Sequence, residues 1–133
     1  MSNPFDKEQK LFSIITPCYK DDYKHLTNVA MALNEQEYKQ FEWIVVFDGE
    51  NVDGIKEINK VIKKFIKLDI SYYTIEHGGA PKARNFGQTK AKGDYYIFLD
   101  ADKYLYPESL RMWANDFEDP KINRSWGTYG LIA

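Results

Sequence analysis

Short apolar runs alternate with helical stretches along this chain, and that alternation narrows its possible folds more than any single residue does. Leu11 to Thr16 is a β-branched, apolar run closed by Pro17, and Trp43 to Phe47 is a second that ends in the turn signal Asp48-Gly49. Continuous apolar runs this short predict strands buried on both faces rather than alternating, half-solvated ones. Ile70 to Ile75 forms a third, and Tyr95 to Leu99, stopping at Asp100, forms a fourth. Gly127 to Ala133 is a further strand candidate.

Helical patterns fill the intervals. Between Asp21 and Glu35 the apolar residues Leu26, Val29, Ala30 and Leu33 recur at helical spacing, with Asp21 or Asp22 able to cap the start. Residues Gly54 to Lys67 place Ile55, Ile58, Val61, Ile62, Phe65 and Ile66 on one stripe, with five lysines largely off it. Pro81 suits the first turn of a helix that runs to about Ala91, and Gly93 ends it. Pro107 opens another helix carrying Leu110, Trp113 and Phe117, and Pro120 marks its end. Strands alternating with helices predict an α/β fold, a mainly parallel sheet with helices on both faces, because parallel neighbours require crossovers. No repeat or linker-like stretch divides the chain, so one domain is expected over residues 1–133, with a flexible N-terminus over residues 1–10.

Charge and cysteine content exclude several classes of function. The 18 Lys plus Arg stand against 20 Asp plus Glu, a net charge of −2, so there is no basic surplus for nucleic-acid binding. Cys18 is the lone cysteine and has no disulfide partner within the chain. No apolar signal segment follows Met1, and Trp43 to Phe47 falls far short of the ~20 residues of a membrane helix. A cytoplasmic setting is expected.

In parallel sheets ligands gather beyond the carboxyl ends of the strands, so the strand ends carry the functional argument. Those ends read Pro17-Cys18-Tyr19, Asp48-Gly49 and Asp100-Ala101-Asp102. Residues two apart in extended chain face the same way, so Asp100 and Asp102 could both reach one hard cation, Mg²⁺ or Mn²⁺. Water and phosphate oxygens would complete its shell. Taken alone, the pair reads better as two aspartates ending a strand in a solvated turn, because so short a motif recurs often by chance. Gly78-Gly79-Ala80-Pro81-Lys82-Ala83-Arg84-Asn85 leads into a helix N-terminus, whose free N–H groups and dipole attract anions. Arg84 could grip a diphosphate there in bidentate fashion. Asp48 could accept from a ribose hydroxyl or a base N–H, and Tyr19 could stack on a nucleobase. Neither the G-x-x-x-x-G-K-[ST] pattern nor a G-x-G-x-x-G after the first strand is present, which disfavours a P-loop or dinucleotide enzyme. Only His25 and His77 could serve Cys18 as a base, so packing is the expected role of that thiol, and no zinc-ligand spacing exists.

Together these segments resemble the nucleotide-sugar-binding part of family 2 glycosyltransferases with the A-type fold. The matching stretches are Ser13 to Tyr19, Trp43 to Gly49, Gly79 to Gly87 and Ala91 to Asp102, followed by Pro107 to Leu110. Four ordered matches over residues 11–115 are far more specific than any one of them. The resemblance implies a Rossmann-like nucleotide-diphospho-sugar transferase fold and transfer of a sugar, with inversion, from a nucleoside diphosphate donor to a hydroxyl acceptor. A UDP-sugar is the favoured donor, and Mn²⁺ or Mg²⁺ the implied metal. By the same resemblance Pro17 and Tyr19 border the nucleobase and Asp48 hydrogen-bonds it. Arg84 and Asn85 lie near the base or diphosphate, Asp100 contacts the ribose and the metal shell, and Asp102 ligates the metal. Phe47 departs from the pattern, standing where the family often has an acid, as does Lys103, in place of a frequent extra aspartate. Family members usually continue further, with a later carboxylate as general base. None of Asp116, Glu118 and Asp119 is assigned to that role. The alternative is a noncatalytic nucleotide-sugar-binding or structural module that self-associates or needs a partner chain.

Overall fold

The computed structural model describes residues 10–118. The N-terminal segment, apart from Lys10, the helix end at Pro120 and the strand candidate Gly127 to Ala133 therefore lie outside the described residues. Four parallel strands form one sheet in the order β3-β2-β1-β4. β1 (Phe12–Cys18) pairs with β2 (Phe41–Asp48) from Phe12↔Phe41 to Cys18↔Phe47, and with β4 (Tyr95–Phe98) from Phe12↔Tyr95 to Ile15↔Phe98. β3 (Ile70–Ile75) flanks β2. Every residue of β1 and β2 is buried, as continuous apolar runs require of central strands.

The period-two alternation of these strands divides the interior into two cores. Phe12, Ile14, Cys18, Trp43, Val45 and Phe47 belong to the larger one. It receives Leu26, Val29 and Leu33 of α1 (Leu26–Asn34), Ile58 and Val61 of α2 (Val52–Lys64), and Leu110, Trp113 and Phe117 of α4 (Ser109–Glu118). Ile15, Ile44 and Val46 face the other way and pack on Ala83 of α3 (Ala80–Lys90). α3 approaches closely there because Gly87 has no side chain: a Cβ would meet Ile15 Cγ2 at 2.5 Å. Each large side chain buried in this way contributes about 1.5–3 kcal/mol, so the three-helix face dominates stability.

Three local departures from the sequence reading have identifiable causes. The stretch expected as one helix from Asp21 begins as a 3₁₀ helix, Lys20–His25, before α1. None of its residues is buried, so no apolar face holds it in α geometry. Asp22 does cap it, accepting the Tyr19 N–H at 2.9 Å. α2 starts at Val52, where Asn51 Oδ1 accepts the Gly54 N–H at 2.8 Å, and stops at Lys64. Phe65 then leaves helical geometry to bury its ring, which throws Ile66 off the stripe to 81% exposure. β1 runs through Pro17 instead of closing before it. Residue 17 directs its backbone away from β2, toward the side where pairing with β4 has already ended, so the missing N–H breaks no bond to β2.

A buried polar knot fastens the amino-terminal end of the sheet. Ser13 Oγ donates to Glu42 Oε2 at 2.7 Å and accepts from the Gly93 N–H, while the same Glu42 oxygen accepts from the Lys92 N–H. The turn entering β4 is thereby tied to both central strands. Among the described residues no helix is long and apolar enough to cross a membrane.

Candidate functional site

Parallel register brings three strand ends to one rim. Asp48 follows directly on the Cys18↔Phe47 pair, and continuing the Ile15↔Phe98 register carries Asp100 to the level of Pro17. An open cleft of about 430 Å³ lies there. Pro17, Tyr19, Asp48, Arg84, Asp100 and Asp102 line it, six of the seven residues singled out in the sequence. Asn85, the seventh, is exposed and outside the lining, since successive helical positions turn by about 100° and only Arg84 of the two faces the cleft. Lys82 also points elsewhere, its ammonium donating to the Glu76 carbonyl at 3.0 Å.

Asp48 is the best-anchored group in the cleft. Its side chain is 2% exposed, and it accepts from the Gly78 N–H at 2.8 Å, the Gly79 N–H at 3.0 Å and His77 Nδ1 at 3.0 Å. Burial alone would raise its pKa; the bonds from Gly78, His77 and Gly79 outweigh burial and hold it below the usual carboxylate value. Its first task is therefore structural. It pins the loop that delivers α3, and Gly79, at φ +99°, supplies the left-handed backbone that loop needs. Oδ1 accepts a single N–H and so has acceptor capacity left.

Tyr19 stacks on His77, with ring centroids 4.6 Å apart and planes within 13°. No sequence signal pointed to His77, because its partner Asp48 lies 29 positions away. The ammonium of Lys20 also sits over the Tyr19 ring, at 5.1 Å. Across the cleft Arg84 reaches Asp100 Oδ1 at 3.3 Å, and both side chains are partly exposed. A pair in that setting contributes little stability and can exchange partners readily.

Asp100 and Asp102 sit in a turn rather than in extended chain. Ile15 accepts the Leu99 N–H at 2.9 Å, and the next ladder bond would run from residue 17 to the Leu99 carbonyl. Pro17 has no N–H to give it. The ladder ends, and the chain closes a turn in which the Lys103 N–H bonds the Asp100 carbonyl at 3.1 Å. Both carboxylates still line the cleft. Among the described residues no group of three His, Cys, Asp or Glu side chains forms a ready-made metal cage.

Cys18 is buried in the larger core, and burial first, then the charge of Asp22, push its thiol up to about 12. It packs, as expected, and is no nucleophile. Phe47 belongs to the same core, on the face of the sheet turned away from Asp48.

The family model for glycosyl transferase family 2 matches residues 13–129. This chain belongs to glycosyltransferase family 2. The chain is 32% identical over 121 residues to an uncharacterized glycosyltransferase of Haemophilus influenzae, covering 91% of this chain and 48% of that one. It is 30% identical over 101 residues to the poly(ribitol-phosphate) beta-N-acetylglucosaminyltransferase TarS of Staphylococcus aureus, covering 75% of this chain and 18% of the other. It thus spans about half the length of the first of these relatives and about a fifth of the second. The structure of residues 1–349 of S. aureus TarS in complex with UDP-GlcNAc superposes with a TM-score of 0.70 at 29% identity, over 81% of this chain and 31% of that one. The mannosyltransferase PcManGT of Pyrobaculum calidifontis, in complex with GDP-Man and Mn²⁺, superposes with a TM-score of 0.77 at 19% identity, over 84% and 33% of the two chains. The chain has the A-type fold of these enzymes.

Proposed function

We propose that the cleft binds a nucleoside diphosphate sugar, with a UDP-sugar favoured, and that the whole protein transfers the sugar with inversion to a hydroxyl acceptor. The observation that carries this reading is the convergence of Tyr19, Asp48, Arg84, Asp100 and Asp102 on one cleft at the carboxyl ends of parallel strands. Tyr19 offers a ring face to the nucleobase, and Asp48 Oδ1 accepts a base N–H. The Arg84 guanidinium leaves Asp100 to grip the diphosphate, which lies against the N-terminus of α3.

Two carboxylates suffice for a divalent ion whose remaining sites are filled by phosphate oxygens and water, so Asp100 and Asp102 fit Mn²⁺ or Mg²⁺. When bound, the ion would neutralise charge on the departing nucleoside diphosphate. Arg84, beside Asp100, then holds the same diphosphate. No described residue is assigned as general base.

Calorimetric titration with UDP, GDP, ADP and NAD, each in Mn²⁺ and again in EDTA, tests the reading. UDP or GDP binding that EDTA removes is the expected result; preference for ADP or NAD, or no binding of any of the four, would overturn it. A ligand at 100 times its dissociation constant also stabilises the fold by about 2.7 kcal/mol, which thermal melting detects independently.

A further inference from the structure

Five of the 18 cationic residues, Lys56, Lys60, Lys63, Lys64 and Lys67, fall on α2 and the turn after it, and all five are exposed. Lys56, Lys60 and Lys64 recur every four residues and so share a face, with Lys63 beside Lys60. Like charges at this spacing destabilise a helix, and nothing nearby offsets them. Glu57 Oε2 accepts from Thr27 Oγ1 at 2.8 Å, and among the described residues none of the five lysines is in an ion pair. Lys64 leans over the Phe65 ring, 5.5 Å from its centroid. The helix dipole accounts for Lys63 and Lys64 in the last turn, but not for Lys56 and Lys60 further in. Apolar side chains flank the cluster. Ile66 stands between Lys64 and Lys67, in the turn where the Leu68 N–H bonds the Phe65 carbonyl at 3.0 Å, and is 81% exposed. Val52, four residues before Lys56, is 60% exposed.

From this arrangement we infer that the outer face of α2 docks on an anionic phospholipid surface. Residues 52–67 hold these five lysines against two acids, Asp53 and Glu57, in a chain of net charge −2. The remainder is therefore net acidic, and attraction to a negative surface orients the molecule on this face. Lysine stems lie along an interface while their ammonium heads reach lipid phosphates, and exposed aliphatic side chains beside them enter the acyl boundary. A nucleic acid supplies the charge but no apolar phase for Ile66 and Val52, so the flanks favour lipid. None of these residues lines the cleft, and the inference stands apart from the donor reading.

Co-sedimentation of the full chain with vesicles tests it, comparing phosphatidylcholine alone with phosphatidylcholine containing about 30% phosphatidylserine. The wild type should partition at least about tenfold more strongly onto the anionic vesicles, since each lysine that reaches the surface is worth about fivefold. Raising salt from about 0.1 M to about 0.5 M should remove most of that preference, as the screening length shortens. Lys60→Glu with Lys63→Glu should abolish it. Lys56→Gln with Lys60→Gln, a milder change, should weaken it by about tenfold or more. All these side chains are exposed, so the melting temperatures should match or exceed that of the wild type. Ile66→Ser leaves the charge untouched and should weaken anionic-vesicle binding several-fold. Equal partitioning onto both vesicles overturns the inference, as does a preference retained in either lysine double variant. Unchanged vesicle binding by Ile66→Ser would make the face a site for polyanions in general, with duplex DNA as the control ligand, and would overturn the assignment to lipid.

Discussion

β2 carries two buried carboxylates on the same face, Glu42 near its start and Asp48 at its end, and both are 4% exposed. Each accepts backbone N–H groups from the chain near one end of α3: Lys92 in the case of Glu42, Gly78 and Gly79 in the case of Asp48. The difference lies in what surrounds them. Glu42 closes on Ser13 Oγ in a sealed knot, whereas Asp48 adds a half-exposed histidine and borders an open cleft. One chemical device thus serves a sealed end of the sheet and the end that borders the candidate site. Parallel strands explain the asymmetry, because their carboxyl ends leave a crevice where loops diverge.

Substitutions can break that comparison. The largest effect on binding is expected from Asp102→Ala, at the open end. Metal-dependent UDP affinity should drop by roughly 100-fold, about 2.7 kcal/mol, with the melting temperature unchanged because the side chain is exposed. Unaltered affinity by calorimetry would sink the metal assignment. Glu42→Ala should do the opposite. It strands the Ser13 hydroxyl and the Lys92 N–H, costing about 3 kcal/mol in urea unfolding at roughly 1–3 kcal/mol per orphaned group, while the folded fraction binds UDP normally.

Asp48→Asn should have a smaller effect than either, losing about 1–2 kcal/mol of stability because the charged hydrogen bonds from Gly78, Gly79 and His77 weaken. Its acid dependence follows from sign. The folded pKa lies below the ordinary 3.8, so the charge stabilises the fold at pH values above 3.8, and that contribution is lost as pH falls through the lower, folded value. The stability gap between wild type and Asp48→Asn should therefore narrow only below pH 3.8, as followed by acid unfolding. The smallest effect probes the opposite face of the same rim. Cys18, its thiol pushed up to about 12, should resist alkylation at pH 8 in the folded protein and react at once when unfolded; fast native labelling would place it outside the core.

Much of the fold was legible from the chain. Trp43 to Phe47 could only be a strand buried on both faces, and it lies wholly within β2. Leu26, Val29, Ala30 and Leu33 repeat at helical spacing, and all four are buried. Periodicity reports burial directly, which is why such segments read well. Ile66 read badly because a helix end depends on which residue finds a cavity, and Phe65 found it. Asn85 read badly because sequence adjacency to Arg84 says nothing of direction on a helix.

By itself, the sequence determined the alternation of strands and helices, and with it the parallel sheet and the rim on which Tyr19, Asp48, Arg84, Asp100 and Asp102 meet. Local pattern carries that information because hydrophobic period and turn chemistry act over a few residues. Tertiary structure alone decided that Asp48 holds His77 and the Gly78-Gly79 loop, and that Pro17 ends the ladder and releases Asp100 into a turn. Those contacts join positions 29 to 31 residues apart, or on different strands. They are specified by register and geometry, which no short stretch of chain encodes.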